Sequence, residues 1–436
     1  MTGRELLDKW GLPDLAGNGR FVSANVMDSL GNGLVLAFTV LYFTTTTSLP
    51  LGAIGAALSL GQLLALPTPV VAGTLIDRFG SRTVVIGANL MSAIGFCAFL
   101  AADAVWKIVA VQFVVQAGSS IYWTSSRSLV LLAARRRDHA RWFGFISALR
   151  NIGGGFGAAV ASLAIAWGSE WVRALVLANA LSFVIAACLL AGWHPKAPVP
   201  APASAPGPAR PAGGGGYGAV LRDLRYLRLV VANLAYVLAA SVLPVLLALY
   251  ITEVLHASAW LVGACMVGNM VLVALVQTLV ARMIERRRPA RVLALAGVVN
   301  AVAFAVFGLV LAVPGWMVAG GLLLAMAVFT AAEMLSMPSS SELSASLAPD
   351  HIRGRYLGVF QLSWSLGNAL APAVLTTLLG YGPAWPWVVL GAVNLLAVPL
   401  VLSLGDSALG EPARDDAAPE DEAPQRHPLT DTADHR

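Results

Sequence analysis

About a dozen runs of this chain are each near 20 residues long and almost purely apolar, which is what a helix needs to cross a bilayer and more than a water-soluble core can hide. They are predicted over 21–46, 52–75, 83–102, 106–132, 142–167, 170–192, 227–251, 259–284, 291–312, 315–342, 356–380 and 385–405, hereafter runs 1 to 12. Only 12% of the residues are charged and 58% are hydrophobic, against about 25% charged in an ordinary soluble domain. The mean hydropathy of +0.75 agrees. The expected fold is an all-α membrane protein of twelve transmembrane helices. Residues 1–20 are mixed and polar and do not read as a cleavable signal. Cys97, Cys188 and Cys265 fall inside apolar runs, where they read as small buried hydrophobes rather than a disulfide framework.

The net charge of +5 invites a nucleic-acid reading, but placement explains it better. With the N-terminus inside, 24 of the 28 lysines and arginines fall in inner segments, only Lys107 and Arg173 fall in outer loops, and Arg127 and Arg150 lie within runs. Positive residues stay on the cytoplasmic side of short loops. An even number of spans with both ends in the cytoplasm is therefore expected. Trp106, Trp171, Trp260, Trp316 and Trp385 stand at outer ends, as interfacial anchors would.

A Pro/Ala/Gly-rich stretch at 194–216 divides six runs from six and reads as a flexible cytoplasmic linker. The expected organisation is an N-terminal six-helix bundle (1–193), a linker (194–226), a C-terminal six-helix bundle (227–405) and an acidic, disordered tail (406–436). The halves repeat. Ala24-Asn25 matches Ala232-Asn233, and Asp77-Arg78 matches Glu285-Arg286, both 208 residues apart. Arg141-Trp142-Phe143-Gly144 matches Arg355-Tyr356-Leu357-Gly358 at 214. Three matches in order argue for duplication. Parallel six-helix repeats are a transporter architecture with the substrate site between the halves.

Between runs 2 and 3 the chain reads Gly73-Thr-Leu-Ile-Asp77-Arg78-Phe-Gly80-Ser-Arg82. This resembles the loop signature of major facilitator transporters, Gly-x-x-x-Asp-Arg-x-Gly-x-Arg. A degenerate copy, Ala281-x-x-x-Glu285-Arg286, follows run 8, with alanine for the glycine and Pro289 near its end. The resemblance covers the whole hydrophobic part, and bacterial drug–proton antiporters are the members it is most like. It implies two pseudo-symmetric six-helix bundles in a bacterial inner membrane, a conformational latch at Gly73, Asp77, Arg78, Gly80, Arg82, Glu285 and Arg286, and a cavity lined by runs 1, 4, 7 and 10. The chain departs from that pattern twice. Gln112 to Gly118 in run 4 carries no arginine, and run 5 reads Asn151-Ile-Gly-Gly-Gly-Phe-Gly-Ala without proline. From the residues alone, Gly73 and Gly80 permit close packing and a tight turn. Asp77 stands where it can meet a helix N-terminus or a neighbouring arginine.

Ionisable groups inside a span are costly and face a cavity or a partner. Asn25, Asp28 and Asn32 form one polar stripe of run 1, with Asp28 about 10 Å from the inner boundary at 1.5 Å per residue. Arg150 lies at similar depth in run 5 beside Asn151. Arg127 follows Tyr122 and Trp123 in run 4, and Glu333 sits in run 10 with Thr330, Ser336 and Ser340 near one face. Asp28 and Glu333 are the candidate proton-coupling groups. A carboxyl removed from water holds its proton more tightly and one beside an arginine releases it more readily, so substrate arrival could be coupled to proton loss. The alternatives are a permanent Asp28–Arg150 or Asp28–Arg127 ion pair that fixes packing, and an Arg127 that snorkels to the inner surface. The remaining cavity candidates are Asn25, Asn32, Gln116, Tyr122, Trp123, Arg127, Arg150, Asn151, Asn233, Tyr236, Asn269 and Gln361; polar residues of this kind also bridge neighbouring helices.

Three function classes compete. The leading one is secondary export of small amphiphilic molecules against protons; one charge crossing 100 mV supplies about 2.3 kcal/mol. The second is an importer or uniporter of the same fold. The third, an enzyme or receptor, lacks support: no P-loop, HExxH or GxSxG motif is present, every histidine reads as loop, linker or tail, and the glycine pattern in run 5 follows no strand. The expected partners are a small-molecule substrate, protons and membrane lipid, with no nucleic acid, metal or cofactor and a monomeric chain.

Overall fold

The computed structural model describes residues 13, 15–36, 39–134, 138–167, 171–195, 216–258, 260–285 and 287–404. Arg286, most of the linker and the tail from 406 lie outside them. The described residues form helices and short connections, with no strand among them.

Each apolar run becomes a helix. In the first half these are α1 (Gly19–Leu36, followed by Thr39–Thr46), α2 (Leu51–Leu64 with Thr68–Phe79), α3 (Ser81–Phe99), α4 (Val105–Ala133), α5 (His139–Trp167) and α6 (Trp171–Ala191). A short helix, Tyr217–Arg222, precedes the second half. There follow α7 (Leu224–Ala240, continued by turns to Val254), α8 (Trp260–Ile284), α9 (Pro289–Leu309), α10 (Gly315–Ser346), α11 (Arg353–Tyr381) and α12 (Trp385–Leu402). Among the described residues eight helices are long and apolar enough to cross a membrane, or nine with α2 counted as one bent span. The other three, α1, α4 and α5, are the ones carrying Asp28, Arg127 and Arg150, and such polar residues lower their hydropathy.

Several boundaries differ from the sequence expectation, each for a local reason. Run 2 is not continuous: α2 bends by 41° between its two segments, because Pro67 and Pro69 remove two backbone donors within three residues. The last part of α7 runs as wide π turns, Val242–Leu246 and Tyr250–Val254, the first built around Pro244. α11 begins at Arg353 rather than 356, so Gly354 and Arg355 lie in a helical first turn and not in a loop. His139 likewise heads α5. Cys97 and Cys188 are exposed on the helix surfaces, and of the three cysteines only Cys265 is a buried hydrophobe.

Packing follows the duplication. α1 packs on α5 and α6, α3 on α4 and α6; in the second half α7 packs on α11 and α12, α9 on α10 and α12. The four buried apolar clusters each draw their residues from one side of the linker only. Equivalent residues make equivalent contacts. The Tyr42 hydroxyl donates to the Phe99 carbonyl at 3.3 Å, and 208 residues later Tyr250 donates to Phe307 at 2.6 Å. Gly153 of α5 closes on Val26 and Ser29 of α1. Gly367 of α11 closes on Leu234 and Val237 of α7, the same positions of the repeat. All five end-standing tryptophans are exposed.

The two sets of helices meet along two crossings, α2 with α11 and α5 with α8, which exchange under the repeat. At the first, glycine is required for close approach: a Cβ on Gly73 would lie 2.7 Å from the Gly354 carbonyl oxygen and 2.9 Å from the Arg355 Cα. Gly80 ends α2 at φ 78°, a left-handed conformation that favours glycine. Gly73→Ala is expected to lower the thermal midpoint of the detergent-solubilised protein through overpacking worth about 1–3 kcal/mol. Gly87→Ala, on the open face of α3 with no atom within 4 Å, should leave it unchanged or higher. Equal midpoints for the two variants would refute the close-approach role.

Candidate functional site

The polar residues within the helices assemble into three places: the expected latch, at helix ends where the two halves touch, a charged cluster inside the first half, and a cavity between the halves.

The latch is where Asp77, near the C-terminal end of α2, reaches the N-terminus of α11. Its Oδ1 accepts from the Gly354 backbone N–H at 2.6 Å, and its Oδ2 lies 3.7 Å from the Arg355 Nε. The first N–H groups of a helix have no partner inside it and carry the positive end of its dipole, so a carboxylate is favoured there. Both partners anticipated for Asp77, a helix N-terminus and an arginine, are met at once. At the second crossing Arg141 Nε of α5 donates to Glu285 Oε2 at 2.6 Å, just beyond the end of α8. Asp77 and Glu285 are repeat mates, as are Arg355 and Arg141, so the two ties form a symmetric pair across the halves. The short helix before α7 joins the first tie: Tyr217 donates to the Val70 carbonyl. Burial and the nearby Asp77 carboxylate push its phenol up to about 12, which keeps it a donor at neutral pH.

Other signature positions do different work. Arg78 is exposed and lies over the Phe79 ring at 5.2 Å. Arg82 does not tie the halves: its Nε donates to the Leu190 carbonyl at 2.9 Å and its guanidinium also reaches Ala191, capping α6 within its own half. Arg286 lies outside the described residues. The true counterparts of the latch are Arg141, Gly354 and Arg355, which the repeat match flagged as equivalent without revealing as partners.

The charged cluster joins α1, α4 and α5. Asp28 is buried at 3% exposure; its Oδ2 accepts from Asn32 Nδ2 at 3.3 Å, the Tyr122 hydroxyl lies nearby, and among the described residues its Oδ1 has no partner within hydrogen-bond geometry. Arg150 is the nearby cation whose field acts on it. The Arg150 guanidinium is placed by three contacts: it donates to Asn25 Oδ1 and to the Tyr122 hydroxyl, each at 3.3 Å, and stacks 4.3 Å from the Trp123 ring centroid. Tyr122 is itself 3.3 Å from Asn25 Oδ1. Five expected cavity residues are thus brought together, but into a polar knot rather than a lining. Asn151 stands aside and donates to the Ser147 carbonyl of its own helix.

Asp28 and Arg150 sit at positions whose repeat mates, 208 and 214 residues on, are Tyr236 and Trp364. Tyr236 donates to the Leu293 carbonyl at 2.7 Å, and the second half packs the same helices without a charge at either position. Packing alone therefore does not call for the pair.

The cavity holds about 290 Å³ between the halves. From α4 come Gln116, Ser119, Ser120, Trp123 and Arg127; from α11 come Gln361, Trp364, Ser365 and Asn368. Gln62, Ala65 and Leu66 at the bend of α2 and Met337 of α10 complete it. Arg127 does not snorkel to the surface: it is 8% exposed, donates to its own Trp123 carbonyl at 2.9 Å and crosses to Gln361 Oε1 at 2.7 Å, with its guanidinium 5.0 Å from the Phe360 ring centroid. It is not a partner of Asp28. Trp123 connects the two places, with one side toward the cavity and the Arg150 guanidinium over its ring. Among the expected residues Gln116, Trp123, Arg127 and Gln361 line this cavity. Gln62, Ser119, Ser120, Met337, Trp364, Ser365 and Asn368 were missed. Most of them had a signal, since 116, 119, 120, 123 and 127 in α4 and 361, 364, 365 and 368 in α11 each follow one helical face.

Glu333 borders a smaller neighbouring hollow with Tyr236 and Trp364. Its Oε2 accepts from Asn269 Nδ2 at 2.7 Å, and Asn269 also reaches Thr330 Oγ1 at 3.0 Å. Asn233 is fully buried and donates to Ser363 Oγ at 2.9 Å, a bridge between α7 and α11. Among the described residues no group of three or more histidine, cysteine or acidic side chains could hold a metal ion.

The sequence matches the family model described as Major Facilitator Superfamily over residues 21–372 and again over 229–432. It is 24% identical over 349 residues to the multidrug resistance protein MdtH of Klebsiella pneumoniae, covering 79% of this chain and 83% of that protein. The MdtH of Enterobacter sp. is 25% identical over 356 residues, with coverage of 79% and 83%. Among solved structures, the E.coli fucose:proton symporter FucP superposes with a TM-score of 0.67 at 16% identity over 89% of this chain and 98% of that one. A bacterial homologue of the iron transporter ferroportin, in an outward-facing state, gives 0.67 at 15% identity over 88% and 98%. The chain carries the fold of these transporters, and by the extent of the family match it belongs to the Major Facilitator Superfamily.

Proposed function

We propose that this protein is a proton-coupled exporter of small amphiphilic molecules that works by alternating access, with the bundles 1–193 and 227–405 rocking about the cavity between them. The observation that carries the reading is the buried Asp28 of one half with the half-buried Arg150 near it, at positions taken by Tyr236 and Trp364 in the other. A buried charge is costly, and at these two positions of the repeat only the first half carries charges. Trp123 gives a substrate mechanical access to them. A ligand pressing on that ring moves the stacked Arg150 relative to Asp28, and the Asp28 proton is gained or lost accordingly. Similarity to multidrug resistance proteins supports a drug-like cargo. The enzyme class is set aside by membership of a transporter family.

The same reading places the chain in a bacterial inner membrane as a monomer with both ends in the cytoplasm, following the lysine and arginine asymmetry. The latch then lies at the cytoplasmic end and is closed, so the described conformation is the one sealed on that side. Opening it requires Asp77 to leave the α11 N-terminus and Glu285 to leave Arg141. Glu333, held by Asn269 away from any cation in the second half, is the secondary candidate for a proton site.

Coupling is tested in everted vesicles loaded with a pH-sensitive dye and challenged with amphiphilic compounds. Wild type should release protons with at least one compound and Asp28→Asn with none, while Tyr236→Phe retains the response. A mutant equal to wild type would make Asp28 structural and turn attention to Glu333. Solute equilibration without proton movement would favour a uniporter. The latch is tested by spin labels on the exposed residues Phe79 and Met283, which flank the inner crossings. Asp77→Asn should add a longer-distance population, from a shift of about 1–2 kcal/mol or five- to thirtyfold in the ratio of states. Glu285→Gln should act in the same direction, and unchanged distances in both variants would rule the latch out.

A further inference from the structure

We infer that the ligand taken by the cavity between the halves carries an anionic group, and that Arg127 is its receptor; this rests on the transport reading and adds the charge class of the substrate. The cavity lining contains one cation and no carboxylate. The acids of the membrane core lie elsewhere: Asp28 beneath Trp123 in the polar knot, Glu333 at the adjoining hollow that shares Met337 and Trp364 with the cavity. Arg127 is more than nine-tenths buried and no acidic side chain among the described residues pairs with it. Among the described residues its only side-chain acceptor is the neutral amide oxygen of Gln361, and its Nε has no hydrogen-bond partner. Trp364 Nε1, in the same lining, is also a buried donor without a partner. Arg150 lies close enough to add a second positive field.

A guanidinium out of water with a spare donor is a receptor for a planar two-oxygen anion, which it binds by paired, charge-assisted hydrogen bonds that a lysine does not reproduce. Gln361 offers Arg127 a single neutral acceptor oxygen, whereas a carboxylate brings an opposite charge and two parallel acceptors, so a carboxylate displaces the Gln361 amide from Arg127. Trp123 and Trp364 offer flat apolar faces beside it. The ligand class is therefore a small amphiphile with an aromatic body and a carboxylate-like head. Its arrival also removes the Arg127–Gln361 bond, a tie between the two halves that the latch does not include.

Full-length protein in phosphatidylcholine nanodiscs would be titrated calorimetrically with three probes of one ring system: naphthoate, its neutral carboxamide, and the matching naphthylmethylammonium. Naphthoate should bind about tenfold more tightly than the carboxamide, the size of one hydrogen bond to a charged group, and the ammonium most weakly. Arg127→Gln should remove that preference, Arg127→Lys should keep part of it, and Gln361→Leu should tighten naphthoate by freeing its receptor. A wild-type preference for the carboxamide or the ammonium, no naphthoate binding at millimolar concentration, or an unchanged naphthoate affinity in Arg127→Gln would overturn the inference. Should Arg127→Gln fail to fold, the wild-type ranking and the Gln361→Leu result decide. Repeating the titration with phosphatidylglycerol in the disc separates sources: competition supports a lipid headgroup as occupant, its absence a soluble anion. Anion preference without coupled transport in the vesicles leaves this inference standing and removes the export reading. Proton-coupled export confined to cations and blind to Arg127→Gln does the reverse.

Discussion

The contact on which the rest of this structure depends is the crossing of α2 over α11. It has two parts that need one another. Gly73 and Gly354 let the two backbones close, and closure brings Asp77 within 2.6 Å of the Gly354 N–H. Without the small residues the carboxylate would stand off from the helix end. Without the carboxylate the first turn of α11 would lose an acceptor that it cannot find within its own helix. The second crossing uses different means at the same position of the repeat. There Ala281 stands where Gly73 would be and packs on Gly144, and the charge contact is a side-chain pair, Arg141 to Glu285, rather than a capped helix. Both ties lie at helix ends, so in the proposed rocking motion their charges would part into water rather than lipid.

Duplication gives the molecule its own internal comparison. Tyr42 and Tyr250, Gly153 and Gly367, Asn25 and Asn233 hold matching places, so the positions where the halves differ stand out against a shared scaffold. Asp28 and Arg150 against Tyr236 and Trp364 is the sharpest such difference. In the second half the corresponding side chains are an aromatic hydrogen-bonded to a carbonyl and an indole lining the cavity. The second half is thus built without charges at these two positions, and this difference is what the proposed role of Asp28 and Arg150 rests on. The same comparison treats Asn233 differently from its mate: Asn25 accepts from Arg150 and lies close to Tyr122, while Asn233 only bridges to Ser363.

The membrane character of the chain, its all-helical fold and the repeat were legible because hydrophobic runs and short matched motifs are local in sequence. The interior of the latch was half legible. Asp77 could be read as a carboxylate seeking a helix end, but which end depended on α11 starting three residues earlier than its apolar run suggested, since Arg353, Gly354 and Arg355 are not apolar. The cavity was least legible. Reasoning from isolated polar residues gathered Asn25, Tyr122 and Arg150 with Gln116 and Arg127, though the first three turn toward Asp28 inside one half. What distinguishes the lining is a face that is polar or aromatic at every helical return, from Gln116 to Arg127 and from Gln361 to Asn368, and that pattern only shows when a whole face is followed. Arg82 misled for a different reason: a motif position says nothing about which carbonyls lie opposite, and here they belong to α6.

The proposed alternating access would set an upper limit on how strong any tie between the halves can be. A hydrogen bond to a charged group contributes about 1.5–3 kcal/mol, and one charge moving through 100 mV supplies about 2.3 kcal/mol. On that reading, the hydrogen bonds of Asp77 to Gly354, Arg141 to Glu285 and Arg127 to Gln361 are each of the size that a single coupled event would break. They are not equivalent, however. The first two lie at helix ends and outside the cavity lining, where a ligand in the cavity does not touch them. The third is in the cavity wall, where a ligand can compete for the guanidinium directly. On the proposed reading, a substrate that takes Arg127 from Gln361 would lower the cost of separating α4 from α11 before the end contacts have moved, and this hydrogen bond would be the point at which binding is converted into rocking.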